Sequence, residues 1–291
     1  MDLKVVGAGH LGVRIAELWK EEFPDSIIYL KTKRNDNERN TKWSSLGFEP
    51  LSEETENESN RVKTPFVVFC APPTNNPNYC QDVETAIKKD WDSELLDDSA
   101  FVFTASGGVY AENSGGKISE TSELSQASER SKALLSAEKR VEENGGISIR
   151  FGGLYTKTRG AHNFWLDGKN KEFAACPNGL INLVHYDDAA KCVLEALLKT
   201  PDQDKNSSPK LFLVSDGVPI SRENICKAAL KCPIYGDRCI PKFTGDENNI
   251  DGKAYDTSLA HKVLDWKPHF GSFAEFMSNH FDEEINVEKF W

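Results

Sequence analysis

The stretch from Val5 to Gly12, "VVGAGHLG", decides how this sequence is read. Two β-branched residues end a short strand, Gly7, Gly9 and Gly12 follow at G-x-G-x-x-G spacing, and "LGVRIAELWKEEF" then sets apolar residues at helical intervals. In such a strand–turn–helix unit the first glycine permits a tight turn, the second lets the backbone approach a pyrophosphate, and the third lets helix pack closely on strand. The helix start adds free N–H donors and the positive end of its dipole. A dinucleotide-binding loop formed by Gly7, Gly9, His10, Leu11 and Gly12 is the expectation.

The pattern continues outward from this loop. Strands are predicted in "SIIYLK", "PFVVFCAPP", "SAFVFTAS" and "GISIRFGG", alternating with helices around "ERNTKWSSLG", in "CQDVETAIKKDW" and from about Ser128 to Asn144. Near-continuous apolar strands that alternate with helices imply a parallel sheet covered on both faces. The second half alternates less regularly, through "LINLVHYDDAAKCVLEALLKT", "KLFLVSDG" and "SRENICKAALK". The fold class expected is α/β: a Rossmann-type, doubly wound parallel sheet over residues 1–160, then a smaller C-terminal α/β substrate lobe with sheet-completing elements over 161–291. Residues 52–63 and 201–210 are polar and turn-rich, and read as surface connections.

About twenty residues past the loop, an acidic residue would bind the ribose hydroxyls of NAD. Here "LKTKRN" offers Thr32, Lys33 and Arg34, with no carboxylate before Asp36. Basic side chains there suit a 2′-phosphate, which makes NADP(H) the expected cofactor over NAD(H); the alternative is a solvated charge cluster.

A formal net charge of −11 works against nucleic-acid or anionic-membrane partners. Seven scattered cysteines, several inside apolar runs, suit reduced thiols in the cytoplasm or in an organelle entered with a removed transit peptide. Neither metal-ligand spacing nor a run of 18 apolar residues occurs, so neither a metal nor a membrane span is expected.

Taken together, the glycine loop, "FCAPP" (69–73), "TASGGVY" (104–110), "SERSK" (128–132), "IRFGGLY" (149–155), "NLVHYDDAAKCVLEAL" (182–197) and "DTSLAHKVLDWKP" (256–268) resemble the short-chain dehydrogenase/reductase superfamily. The likeness is to its extended and atypical branch, with the epimerases and dehydratases of nucleotide sugars. It implies that Ala71, Pro72 and Pro73 line the cofactor, that Ser106 orients a substrate oxygen, and that Lys132 holds the nicotinamide ribose. It also implies a homodimer, by analogy with members that pair through helices flanking the sheet.

The family's tyrosine, four residues before that lysine, falls on Ser128, whose aliphatic hydroxyl is far too weak an acid to replace a phenol. Either "SERSK" is an active-site turn that has lost its acid, or it is a solvated helix turn and the alignment is shifted. Tyr155 is then the expected substitute acid, ahead of Tyr110 and of His185 with Asp187. The function expected is an NADP(H)-dependent oxidoreductase or epimerase/dehydratase-like enzyme acting on a small polar or sugar-like substrate. The alternative is a catalytically silent NADP(H)-binding sensor. Asn163, Trp165 and Asn182 mark the C-terminal lobe without spelling out a substrate.

Overall fold

Several of the strands end in residues that build the cleft described below. In the computed structural model, which describes residues 1–57, 61–95, 98–199, 208–248 and 250–282, the order is β1 (Leu3–Val6), α1 (His10–Glu22), β2 (Ile28–Thr32), α2 (Asn37–Ser45), β3 (Glu49–Ser52), β4 (Phe66–Phe69), α3 (Tyr79–Lys89), β5 (Ala100–Ser106) and α4 (Glu129–Glu143). There follow β6 (Ile147–Phe151), β7 (Gly153–Tyr155), α5 (Ala161–Trp165), β8 (Leu183–His185), α6 (Tyr186–Lys199), β9 (Leu211–Val214) and α7 (Arg222–Ala229).

Seven strands form one sheet in the order β9-β6-β5-β4-β1-β2-β3, and every pairing is parallel. The chain runs outward from β1 in one direction and then from β4 in the other. That reversal puts a crevice at the carboxyl ends of β1 and β4, where open α/β sheets bind ligands.

One face of the sheet is covered by α1 and α6, with Val5, Ile15, Trp19, Val193 and Trp266 in its core. The other is covered by α3 and α4 over Val67, Phe69, Phe101, Phe103 and Leu134. A third core lies outside the sheet and joins Tyr155, Leu183, Ile225, Phe273 and Phe276. The two halves interleave: β9, from beyond residue 160, closes the sheet beside β6, and α6 packs on α1.

The described parts of the connection at 52–63, 52–57 and 61–63, are more than surface; 58–60 lie outside the described residues. Glu56 turns inward with its side chain 4% exposed, and Arg61 follows it. Beneath β1 and β2, where α3 stops short, Lys4 and Lys31 are buried and reach Asp90 at 3.1 and 3.0 Å. Glu56 takes Lys31 at 2.6 Å and Arg61 at 2.7 Å. Burial holds the Lys4 ammonium below the usual lysine range against the pull of Asp90 and Glu56. The centre of the second polar connection, 201–207, lies outside the described residues.

All seven cysteines are unpaired thiols. Among the described residues no helix is long and apolar enough to cross a membrane, and no group of three or more His, Cys, Asp or Glu is placed to hold a metal ion.

Candidate functional site

At the crevice the glycine loop meets the ends of β4, β5 and β6 around a cavity of about 490 Å³. Gly7 has φ +88°, and a Cβ there would fall 2.3 Å from the Ala71 nitrogen, so the turn has no room for a side chain. A Cβ on Gly12 would lie 2.8 Å from Val5 Cγ1, which is the close packing of helix on strand. At Gly9 a Cβ would meet nothing nearer than the Gly7 carbonyl, at 3.9 Å, because that face of the backbone opens on the cavity.

Gly9 also caps α1, but no side chain does. No capping hydrogen bond is made, and no acidic residue stands in the first turn. By contrast α2 is capped by Asp36, α4 by Ser128 and α7 by Ser221. Helix α1 therefore presents free N–H groups and its positive end to the cavity, the arrangement that receives a phosphate. The residues present fit a dinucleotide.

The far wall carries Ala71, Pro72 and Pro73, followed by Thr104, Ala105 and Ser106. Tyr79 donates its hydroxyl to the Ala71 carbonyl at 2.9 Å and so fixes the turn after β4. Burial raises that phenol above its ordinary value and pushes the Cys70 thiol up to about 12, so neither is poised for proton transfer. Ser106 Oγ accepts the Gly108 N–H at 3.2 Å, which leaves the hydroxyl proton to be donated elsewhere.

The loop after β2 is set by a residue that the sequence reading passed over. Arg39 donates from Nη2 to Thr32 Oγ1 and to the Arg34 carbonyl, both at 2.9 Å, and its guanidinium lies 4.9 Å from the Trp43 ring centroid. The signal was available in Asp36, which caps α2 at the Arg39 N–H and so fixes the first helical turn. Arg34 itself is exposed, while Lys33 pairs with Asp82 at 3.0 Å.

The remaining expected residues are placed differently. Ser128 is the cap of α4: its Oγ accepts the Ser131 N–H at 3.0 Å and lies 2.8 Å from Ser131 Oγ. Lys132 is half exposed, pairs with Glu129 at 2.7 Å and does not line the cavity. The α4 residues that reach the cavity are Arg130 and Leu134, two positions away from that pair. Tyr155 is 0% exposed and packs edge-on against His185, Phe273 and Phe276 in the third core, outside the cavity. Tyr110 is buried under the Arg150 guanidinium, 4.8 Å from its ring centroid.

His185 Nδ1 accepts the Asp187 N–H at 3.2 Å, while the Asp187 carboxylate goes to Arg14 Nε at 2.6 Å. The second Asp187 oxygen lies 3.9 Å from His185 Nδ1, and the ring is buried against Tyr155, Phe270 and Phe276. Asn163 accepts the Tyr235 hydroxyl, Asn182 ties Lys253 and Tyr255 together, and Trp165 packs on Phe243. Besides Tyr79, whose hydroxyl is given to the Ala71 carbonyl, the cavity is lined by the phenol of Tyr186, its ring 6.3 Å from His10. It follows His185 in "NLVHYDD", where strand passes directly into helix.

Compared with known proteins, the chain matches no family model and no curated protein. Solved structures do match along its length. The dTDP-glucose 4,6-dehydratase of Bacillus anthracis, solved with NAD, superposes with TM-score 0.73 at 13% identity, over 100% of this chain and 98% of that one. The UDP-glucuronic acid 4-epimerase of Bacillus cereus, solved with UDP-glucuronic acid and NAD, gives 0.71 at 16%, over 97% and 98%. This chain has the epimerase/dehydratase fold. A conserved protein of unknown function from Silicibacter pomeroyi shares that fold, with TM-score 0.71 at 15% identity over 98% and 99% of the two chains. Within the epimerase/dehydratase fold, the glycine loop and the carboxyl edge of the sheet are the parts that the cavity here brings together.

Proposed function

We propose that this chain binds NADP(H) in the glycine-lined cleft and acts as an oxidoreductase, or as an epimerase/dehydratase-like enzyme, on a small polar or sugar-like substrate. The observation that carries the proposal is the α1 N-terminus, left uncapped and without acidic residues where Gly9 opens the backbone on the cleft. Support also comes from the fold shared with enzymes solved with NAD. The preference for NADP(H) rests on the absence of a carboxylate at Thr32, Lys33 and Arg34, and on Arg39, which holds that loop with Arg34 exposed.

When bound, the nicotinamide supplies hydride transfer. The chain's own share is to bind, orient and exchange a proton. Ser106, with its oxygen already accepting from Gly108, donates to a substrate oxygen and orients it. In this reading Tyr186 takes the proton-exchanging role expected from sequence of Tyr155, and neither Lys132 nor Tyr155 takes part. The test is a calorimetric titration with NADPH and NADH, followed by turnover assays on aldehydes, ketones and nucleotide sugars. Turnover that Tyr186→Phe lowers with cofactor affinity unchanged supports the assignment; turnover that survives it intact removes Tyr186 from the mechanism.

A further inference from the structure

Helix α4 turns Leu134, Ala137 and Val141 toward the sheet, at the three- and four-residue spacing of a buried helical stripe. One turn earlier the same stripe carries Arg130, which passes the edge of the sheet and lines the cleft. Arg130 is exposed, and among the described residues its guanidinium makes no hydrogen bond or ion pair. Its neighbours on α4 are paired, Lys132 with Glu129 and Arg140 with Glu143.

The rest of the cleft wall sharpens the contrast. Acidic residues outnumber basic ones in the sequence, 46 to 35, yet among the described residues no Asp or Glu lines this cavity. Tyr79, which feels the Arg130 charge, already gives its hydroxyl to the Ala71 carbonyl and has no need of a cation. A guanidinium is a hydrogen-bond donor only, with no accepting atom. What it offers is a planar fork of donors matched to two oxygens of one anion. A dinucleotide pyrophosphate has its own receptor at the uncapped start of α1.

We infer that Arg130 is a specificity-determining residue that clamps an oxyanion of the substrate, a carboxylate or a phosphoryl group, in a cleft free of competing carboxylates. The inference rests on the dinucleotide reading only in assigning the α1 end of the cleft to the cofactor.

The test uses small anions as probes. NADPH is titrated first into the wild-type protein and into Arg130→Gln; the NADPH-loaded proteins are then titrated with malonate and with inorganic phosphate. The expected result is saturable binding of at least one ion, weakened about tenfold by Arg130→Gln and restored in part by Arg130→Lys, with NADPH affinity and melting temperature unchanged. The ion that binds tighter identifies the group as carboxylate or phosphoryl. Three results overturn the inference: no saturable binding of either ion, ion binding indifferent to Arg130→Gln, or a loss of NADPH affinity in that variant as large as the loss for the ions. If NADPH fails to bind the wild type, the cofactor reading falls by itself. The same titrations on the free protein then decide Arg130 by the same criteria.

Discussion

Two hollows flank the carboxyl half of β1, and they treat charge in opposite ways. The larger, about 490 Å³, is lined by glycines, apolar residues, hydroxyls, His10 and Arg130, with no carboxylate. The smaller, about 260 Å³, lies under β1 and β2 and is lined by Lys31, Arg61, Glu53, Glu56, Asp82 and Asp90. In the second, the cations are answered from within: Asp90 takes Lys4, Lys31 and Arg61, and Glu56 takes Lys31 and Arg61. In the first, the α1 N-terminus has no side-chain cap and no acidic residue in its first turn, and Arg130 makes no hydrogen bond or ion pair among the described residues. Buried charge that is compensated internally is costly to break one partner at a time, whereas positive groups open on a hollow are available to an anion.

The largest effect is expected in the smaller hollow. Asp90→Ala leaves Lys4, Lys31 and Arg61 with one carboxylate fewer in a buried setting, and should cost about 3–5 kcal/mol in denaturant unfolding. A loss under about 1 kcal/mol would mean that the cluster is hydrated, and the contrast between the hollows would collapse. Next is Gly9→Asp, which fits the free fold but puts a carboxylate where the pyrophosphate would lie. A fall in NADPH affinity of about 100-fold or more is expected by calorimetry.

Arg34→Asp should move the ratio of NADPH to NADH dissociation constants toward NADH by about tenfold, since an exposed contact to a 2′-phosphate is worth less than the pyrophosphate receptor. An unmoved ratio would leave "TKRN" a solvated charge cluster. The smallest effect is one of pH. Burial pushes the Asp216 carboxyl up to about 7, against the N–H groups of Val218 and Phe273 that it accepts. Because its folded value lies above the ordinary carboxylate range, the folded state holds the proton first. Its contribution to stability is then fully present below about pH 4 and is lost as pH rises through about 7. Asp216→Asn should remove that part of the pH dependence, a difference of about 4 °C in melting temperature between pH 5 and pH 8.

The distinction between the hollows also explains what was legible in the sequence. The glycine loop and the strands around it could be read because their signals are local: spacing, β-branching and a turn with no room for a side chain. "SERSK" left two readings open because helix phase is a tertiary property. Ser128 and Lys132 sit about 200° around α4 from Arg130 and Leu134, and only the stripe through Ala137 and Val141 shows which pair meets the cleft. The Ser128 hydroxyl, which looked like a vestigial catalytic group, is spent on capping.

Tyr155 follows the two-residue alternation of a strand. Leu154 lines the cleft, and Tyr155 turns the other way into the third core. The charge cluster could not be read at all: Lys4 and Asp90 meet across 86 positions of sequence, and nothing near either announces the other.

The central claim, that the open hollow receives a dinucleotide, is tested most directly by calorimetric titration of the purified protein with NADPH and with NADH. Saturable one-to-one binding, tighter for NADPH and abolished in Gly9→Asp, is the result predicted. Heats indistinguishable from dilution for both nucleotides, or binding that Gly9→Asp leaves intact, would contradict it.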